Sequence, residues 1–176
     1  VLDAWMWARE PKDADGQHPG IKESTRWVEG YERVAELAGE LPDTRLVYVA
    51  DRESDMIELM ARADDLETPA DWLLRSPHDR ALPGGQTLWQ TVTSGDELGG
   101  ICFTLPSRQG QKARQVRQRI WARVVERPHG KPQAIRATGV VAKEIDPPAG
   151  SPPVEWRLLT NRTAETLAEA AERIVL

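Results

Sequence analysis

Apolar residues in this chain recur at one set of spacings up to about Ser76 and at another beyond it. In the first part, short apolar runs alternate with helical periodicity. Val1–Ala8 reads as a strand, and Glu10–Lys22 as a polar loop rich in Asp, Gly and Pro. Trp27, Tyr31, Val34, Ala35 and Leu37 fall at helical spacing, with Ser24 or Thr25 as the cap and an end near Leu41. Leu46–Ala50 is apolar, β-branched and aromatic, bounded by turn residues, and predicts a buried strand that ends at Asp51. Met56, Ile57, Leu59 and Met60 give a helix over about Ser54–Ala63 an apolar face. Asp71–Arg75 is a further strand. The order β-α-β-α-β predicts an α/β core.

After Ser76 the helical period fades and Gly and Pro recur at short intervals. Leu88–Thr93, Gly100–Leu105, Val116–Val125, Ile135–Ala142 and Val154–Thr160 each read as strands. The last two are separated by the stiff turn Pro147–Gly150 and Pro152–Pro153. Asn161 or Thr163 is placed to cap a final helix carrying Leu167, Ala170, Ala171 and Ile174 on one side. The reading divides the chain into an α/β core (1–76), an inserted antiparallel β module (77–161) and the start of a final core helix (162–176). Because that helix runs to the last residue and the first residue is Val1, the chain is expected to be a piece of a longer polypeptide.

Composition adds little to the fold but narrows the function. The chain has 176 residues, 40% hydrophobic and 29% charged, which is the balance of a folded soluble domain. No apolar run approaches the roughly 18–20 residues of a membrane span. The single Cys102 excludes an intrachain disulfide and fits a reducing cytoplasm. Its place in a strand predicts a buried, inert thiol. Seven tryptophans accompany one phenylalanine. Most suit a core, although tryptophan is also the residue for stacking on a base.

Net charge is −5, yet from Arg108 to Arg136 nearly every charge is positive, with Glu126 the lone acid. A local basic field on an acidic chain suggests a directed nucleic-acid contact. Within it, Val116, Ile120, Ala122 and Val124 are expected to face one way. Arg117, Arg119 and Arg123, with Trp121, face the other. Such a face suits backbone phosphates, or else charge protecting a solvated edge. His18, His78 and His129 have no zinc spacing with Cys or acids, and no P-loop or Gly-x-Gly-x-x-Gly is present.

Asp51 is the candidate for chemistry. Open α/β sheets bind ligands beyond the carboxyl ends of their strands, and a carboxylate there can ligate Mg²⁺. The same position also suits an ordinary helix cap or turn. Glu53 and Asp55 are expected to be solvated carboxylates at a helix start rather than further ligands.

The segment Asp51-Arg52-Glu53-Ser54-Asp55 resembles the Asp-Arg-Glu-Ala-Asp box of bacterial DDE-class insertion-sequence transposases of the IS-four group. Other segments follow in the same order. Trp5–Arg9 resembles Trp-Trp-Met-Arg, and Lys22-Glu23-Ser24 with Trp27 resembles Lys-Glu-Ser-x-x-Trp. Leu73–Ser76 resembles Val-Val-Arg-Ser, and Trp156–Thr160 resembles Trp-Leu-Leu-Leu-Thr. Glu97–Gly100 and Glu144–Gly150 also match. The resemblance covers nearly the whole chain.

It implies a partial ribonuclease-H-like core with an inserted β domain, and metal-dependent cleavage, hairpin formation and strand transfer at transposon ends. Three carboxylates would hold two Mg²⁺ or Mn²⁺ ions. Asp51 matches the second, and the first Asp and final Glu would lie outside this chain, which alone is expected to be inactive. Trp156 matches the tryptophan that stacks a flipped thymine, and Arg75 an arginine contacting DNA near the scissile phosphate. Pro77 and Asp79 make the following loop less basic than in the family. The implied partners are double-stranded DNA at transposon ends and a second copy of the protein, as a homodimer on DNA. Two other readings remain open: a non-catalytic DNA-binding remnant, and an unrelated α/β domain using Asp51 in another phosphoryl reaction.

Overall fold

In the computed structural model, which describes residue 15 and residues 23–107, 112–129 and 134–175, six strands form one mixed sheet with helices on both faces. The strands are β1 (Val47–Ala50), β2 (Asp71–Arg75), β3 (Gly99–Leu105), β4 (Arg114–Arg127), β5 (Ile135–Glu144) and β6 (Glu155–Thr160). Their spatial order is β1-β2-β6-β5-β4-β3. Only β1 and β2 run parallel, and the crossover between them carries helix α2 (Ile57–Asp65). The remaining pairs are antiparallel. The architecture is α/β, as the sequence predicts. The strands of residues 77–161 extend the core sheet directly, because β6 pairs with β2. The expected strand at Val1–Ala8 lies outside the described residues.

Helix α1 (Glu23–Glu40) begins ahead of both proposed caps, so Ser24 and Thr25 lie within it. Its apolar stripe works as predicted. Tyr31 is fully buried, donates its hydroxyl to the Ala70 carbonyl at 2.9 Å, and meets the Tyr48 ring edge-on at 5.9 Å. Burial pushes both tyrosine pKa values up to about 12. Against α1, the Tyr48 hydroxyl lies where a Cβ on Gly30 would fall, at 2.8 Å, so this close approach requires glycine.

Other expectations fail in informative ways. Leu88–Thr93 is a helix, α3, not a strand. Thr87 and Gln90 form a capping box, while the Asp79 carboxylate accepts bonds from the Trp89 amide and the Thr87 hydroxyl, each at 2.9 Å. Helix α3 lies so close to β5 that a Cβ on Gly139 would stand 2.6 Å from Val92 Cγ2. Cys102 is exposed rather than buried, because β3 is an edge strand whose alternate residues face solvent. Strand β1 is likewise not fully buried, and Val49 is 51% exposed. Finally, α4 spans Leu167–Val175 and is capped by Thr166 and Glu169, not by Asn161 or Thr163. The Asn161 side chain instead holds the start of β2, accepting from the Trp72 amide at 2.8 Å and donating to Asp71.

The helices cover opposite faces of β4 at its two ends. Ile120 packs with Ala170 of α4, whereas Val125 joins the cluster containing Trp89 and Val92 of α3. The predicted alternation therefore holds from Val116 to Ala122, and then burial passes to the other face. Val124 is exposed, while Val125 and Arg127 are buried.

Arg127 is placed there by Asp55. Far from being a solvated carboxylate, Asp55 is 4% exposed. Its Oδ2 accepts from Ser76 Oγ at 2.6 Å, and its Oδ1 from Arg127 at 3.3 Å. Arg80 adds an ion pair at 3.8 Å and a bond to the Asp55 carbonyl. Burial pushes the Arg127 guanidinium below its usual range, and the nearby Asp55 charge opposes that shift. Removing one partner of a buried pair strands the other charge without water or counterion. Asp55→Ala is therefore expected to lower unfolding free energy by about 3–5 kcal/mol in urea denaturation, and Arg127→Met in that background to restore part of it. A loss below about 1 kcal/mol from Asp55→Ala would show that the network does not hold the fold.

Candidate functional site

Beyond β1 the chain turns sharply, and Asp51 stands at that turn. Ser54, fully buried, donates its hydroxyl to the Asp51 carbonyl at 2.5 Å, and its amide bonds the same oxygen at 2.9 Å. These bonds close a 3-10 turn over Arg52–Ser54 and fix the Asp51 backbone. The Asp51 side chain makes no capping hydrogen bond and is 67% exposed. Asp51 thus opens the turn through its backbone, while its carboxylate takes no part in capping it. Its nearest charges are Arg75 at 3.7 Å and Arg52 at 3.9 Å, both too long for hydrogen bonds.

Asp51 opens onto a cleft of about 290 Å³ lined by Val49, Ala50, Leu73, Arg75, Trp156, Leu158, Arg173 and Ile174. The sheet register explains this convergence. Ala50 pairs with Leu74, and Arg75 pairs with Leu158, so the carboxyl ends of β1 and β2 meet the start of β6. Asp51, Arg75 and Trp156, far apart in sequence, thus share one wall system. Most of that wall is apolar, with charge concentrated at Asp51, Arg75 and Arg173.

Trp156 is partly buried and stacks on Phe103, with centroids 5.8 Å apart and planes 19° from parallel. Phe103 lies on β3, so the pair joins β6 to β3 across the intervening β5 and β4. Arg173 was not anticipated. It is 4% exposed, donates to Glu172 at 2.6 Å and to the Thr163 carbonyl at 3.3 Å, and its buried Nε has no hydrogen-bond partner. The available signal was an arginine on the apolar side of the final helix, one residue before Ile174.

The structure does not bring Arg117, Arg119 or Arg123 to this cleft. Arg117 pairs with Asp146 at 3.1 Å and Arg119 with Glu97 at 3.3 Å. Arg123 donates to the Thr91 carbonyl and to Ser94 Oγ, beside Gly95. Arg114 is bound by the buried carboxylate of Glu144, which also accepts from the Val154 amide at 2.8 Å. Hydrogen bonds from Arg114 chiefly hold Glu144 below the usual carboxylate range. Within the positive run, Arg114, Arg117, Arg119 and Arg127 are therefore each matched by an acid from another strand or loop. Arg108 and Lys131 lie outside the described residues, as do Trp5–Arg9 and Lys22.

Among the described residues, no three His, Cys, Asp or Glu side chains converge as a metal-binding group. No described helix is long and apolar enough to cross a membrane. No model of a known protein family matches the chain.

Trp156 gives the cleft an aromatic wall that Phe103 stacks against, which predicts energetic coupling between the rings. In a cycle of Phe103→Ala, Trp156→Ala and the double variant, urea unfolding is expected to show a coupling of about 0.5–1.5 kcal/mol. Strict additivity would mean that the rings do not support each other.

Proposed function

We propose that this chain is part of the catalytic core of a DDE-class DNA transposase, and that the cleft beside Asp51 receives the end of a DNA strand. The observation that carries the reading is the meeting of Asp51, Arg75 and Trp156. They lie on separate sequence segments, and their side chains line one cleft at the carboxyl ends of parallel strands. The parallel β1–β2 pair, joined through α2 and extended by antiparallel strands, supports a partial ribonuclease-H-like core.

Each residue has a distinct task. Asp51 presents a carboxylate whose lone pairs are not used in short hydrogen bonds, which is what a ligand to a hard divalent cation requires. The chemistry that a bound Mg²⁺ or Mn²⁺ would supply is activation of the attacking oxygen and stabilisation of the leaving one in phosphodiester transfer. Asp51 would supply one ligand of such a centre, and the flanking Arg52 and Arg75 would favour a phosphate beside it. Arg75 can grip a phosphate through two parallel N–H bonds. Trp156 offers a ring against which an unpaired base can stack, backed by Phe103. The buried Nε–H of Arg173 is a donor that a ligand in the cleft could satisfy.

The expected behaviour is salt-sensitive binding to duplex DNA, tighter when the end carries an unpaired nucleotide. Fluorescence anisotropy at several salt concentrations measures it. Trp156→Ala is expected to weaken binding to the unpaired end by about tenfold, with little effect on a blunt duplex. Absence of DNA binding by the unmodified chain at low salt would refute the proposal.

A further inference from the structure

We propose that Arg52, Arg75 and Arg157 form a subsite for one backbone phosphodiester, lying across the sheet from the Trp156 cleft; the identity of that ligand rests on the DNA reading above. A second cleft, of about 230 Å³, is lined by Arg52, Arg75, Ser76, Pro77, Glu155 and Arg157. Neighbouring strand residues project to opposite faces, so Trp156 serves one cleft and Arg157 the other. Arg75, at the end of β2, lines both. A strand whose terminal base reaches Trp156 must carry its backbone past this arginine, and the Arg157 cleft lies on the far side.

The subsite is ordered before any ligand arrives. The Ser76 amide donates to the Arg157 carbonyl at 2.8 Å, locking β6 to the residue after Arg75. Glu155 accepts from Arg157 Nε at 2.6 Å, and the Trp89 ring lies 5.9 Å from the guanidinium carbon. Ser76 is itself held by Asp55. The three arginine side chains keep 60%, 42% and 34% exposure for residues 52, 75 and 157, so the guanidinium groups remain accessible to a ligand.

The charge balance suits a phosphodiester. Three guanidinium groups face two carboxylates, Glu155 within the cleft and Asp51 beside Arg52 and Arg75, which leaves one net positive charge. A phosphodiester carries one negative charge, and arginine matches its oxygens in geometry as well as sign. The transposase segment that Trp156–Thr160 resembles has leucine at the position of Arg157, so this third arginine is a feature of the present chain.

Two measurements separate the subsite from the DNA reading. Titration of inorganic phosphate against the arginine Nε–H NMR signals is expected to shift Arg52, Arg75 and Arg157 together, while leaving Arg123 in place. In DNA-binding assays, Arg157→Gln is expected to reduce the salt dependence by about one phosphate contact and to weaken binding about threefold to tenfold, with Arg157→Lys retaining the slope. Phosphate that moves none of the three arginines overturns the subsite whatever DNA does. An unchanged salt slope in Arg157→Gln also overturns it. Phosphate shifts without any DNA binding by the unmodified chain support the anion subsite and refute the DNA reading alone.

Discussion

The arrangement depends on one buried carboxylate. Asp55 follows the turn after β1 and reaches Ser76, just past the end of β2, as well as Arg127 at the end of β4. A charge in that environment is costly unless paired and hydrogen-bonded. It therefore cannot tolerate separation of the elements that satisfy it. The network fastens the two parallel strands to the long antiparallel hairpin from which Arg127 comes. Apolar packing supplies the core, with Trp72, Leu74, Leu159 and Val141 in one cluster. Such packing is forgiving of small shifts, whereas the Asp55 network specifies one relative placement.

Functional geometry follows from that placement. Ser54, between Asp51 and Asp55, closes the turn that aims the Asp51 carboxylate outward. Ser76, one residue beyond Arg75, carries both the bond to Asp55 and the amide bond to Arg157. Thus the two residues flanking the cleft, Asp51 and Arg75, are each adjacent to a group bound inside the protein. Their own side chains stay exposed and weakly paired. The fold buries Asp55 and leaves the Asp51 side chain largely exposed, so two acids four residues apart stand in opposite environments.

Much of this fold was legible because it is local. Helix α1 and strands β2, β5 and β6 declare themselves through apolar spacing and flanking turn residues. Asp51 could be chosen because strand ends are visible in sequence, and Arg75 and Trp156 through resemblance. What stayed hidden depends on contacts between distant residues. Asp55 finds its partner Arg127 72 positions later. Six residues of α3 are too few to show a period, and the capping that decides them draws on Asp79 outside the segment. Cys102 is exposed because β3 lies at an edge, and strand order is not written in local pattern.

Charge shows the same limit most sharply. Read along the chain, residues 108–136 form a basic field. Read in space, Arg114, Arg117, Arg119 and Arg127 each meet a carboxylate from elsewhere, and Arg123 is bonded to α3 and the residue that follows it. Their Coulomb attraction to a distant phosphate is largely cancelled at close range, since opposite charges a few ångströms apart look nearly neutral beyond about 10 Å at ordinary salt. Arg52, Arg75 and Arg157 do not stand out in sequence as a cluster, being spread over some hundred positions among acids. Yet the fold gathers them in one cleft with a net positive charge. Strand register thus gathers, beside the ends of β1 and β2, arginines that the sequence holds far apart, and it sets acids beside several of those that the sequence concentrates.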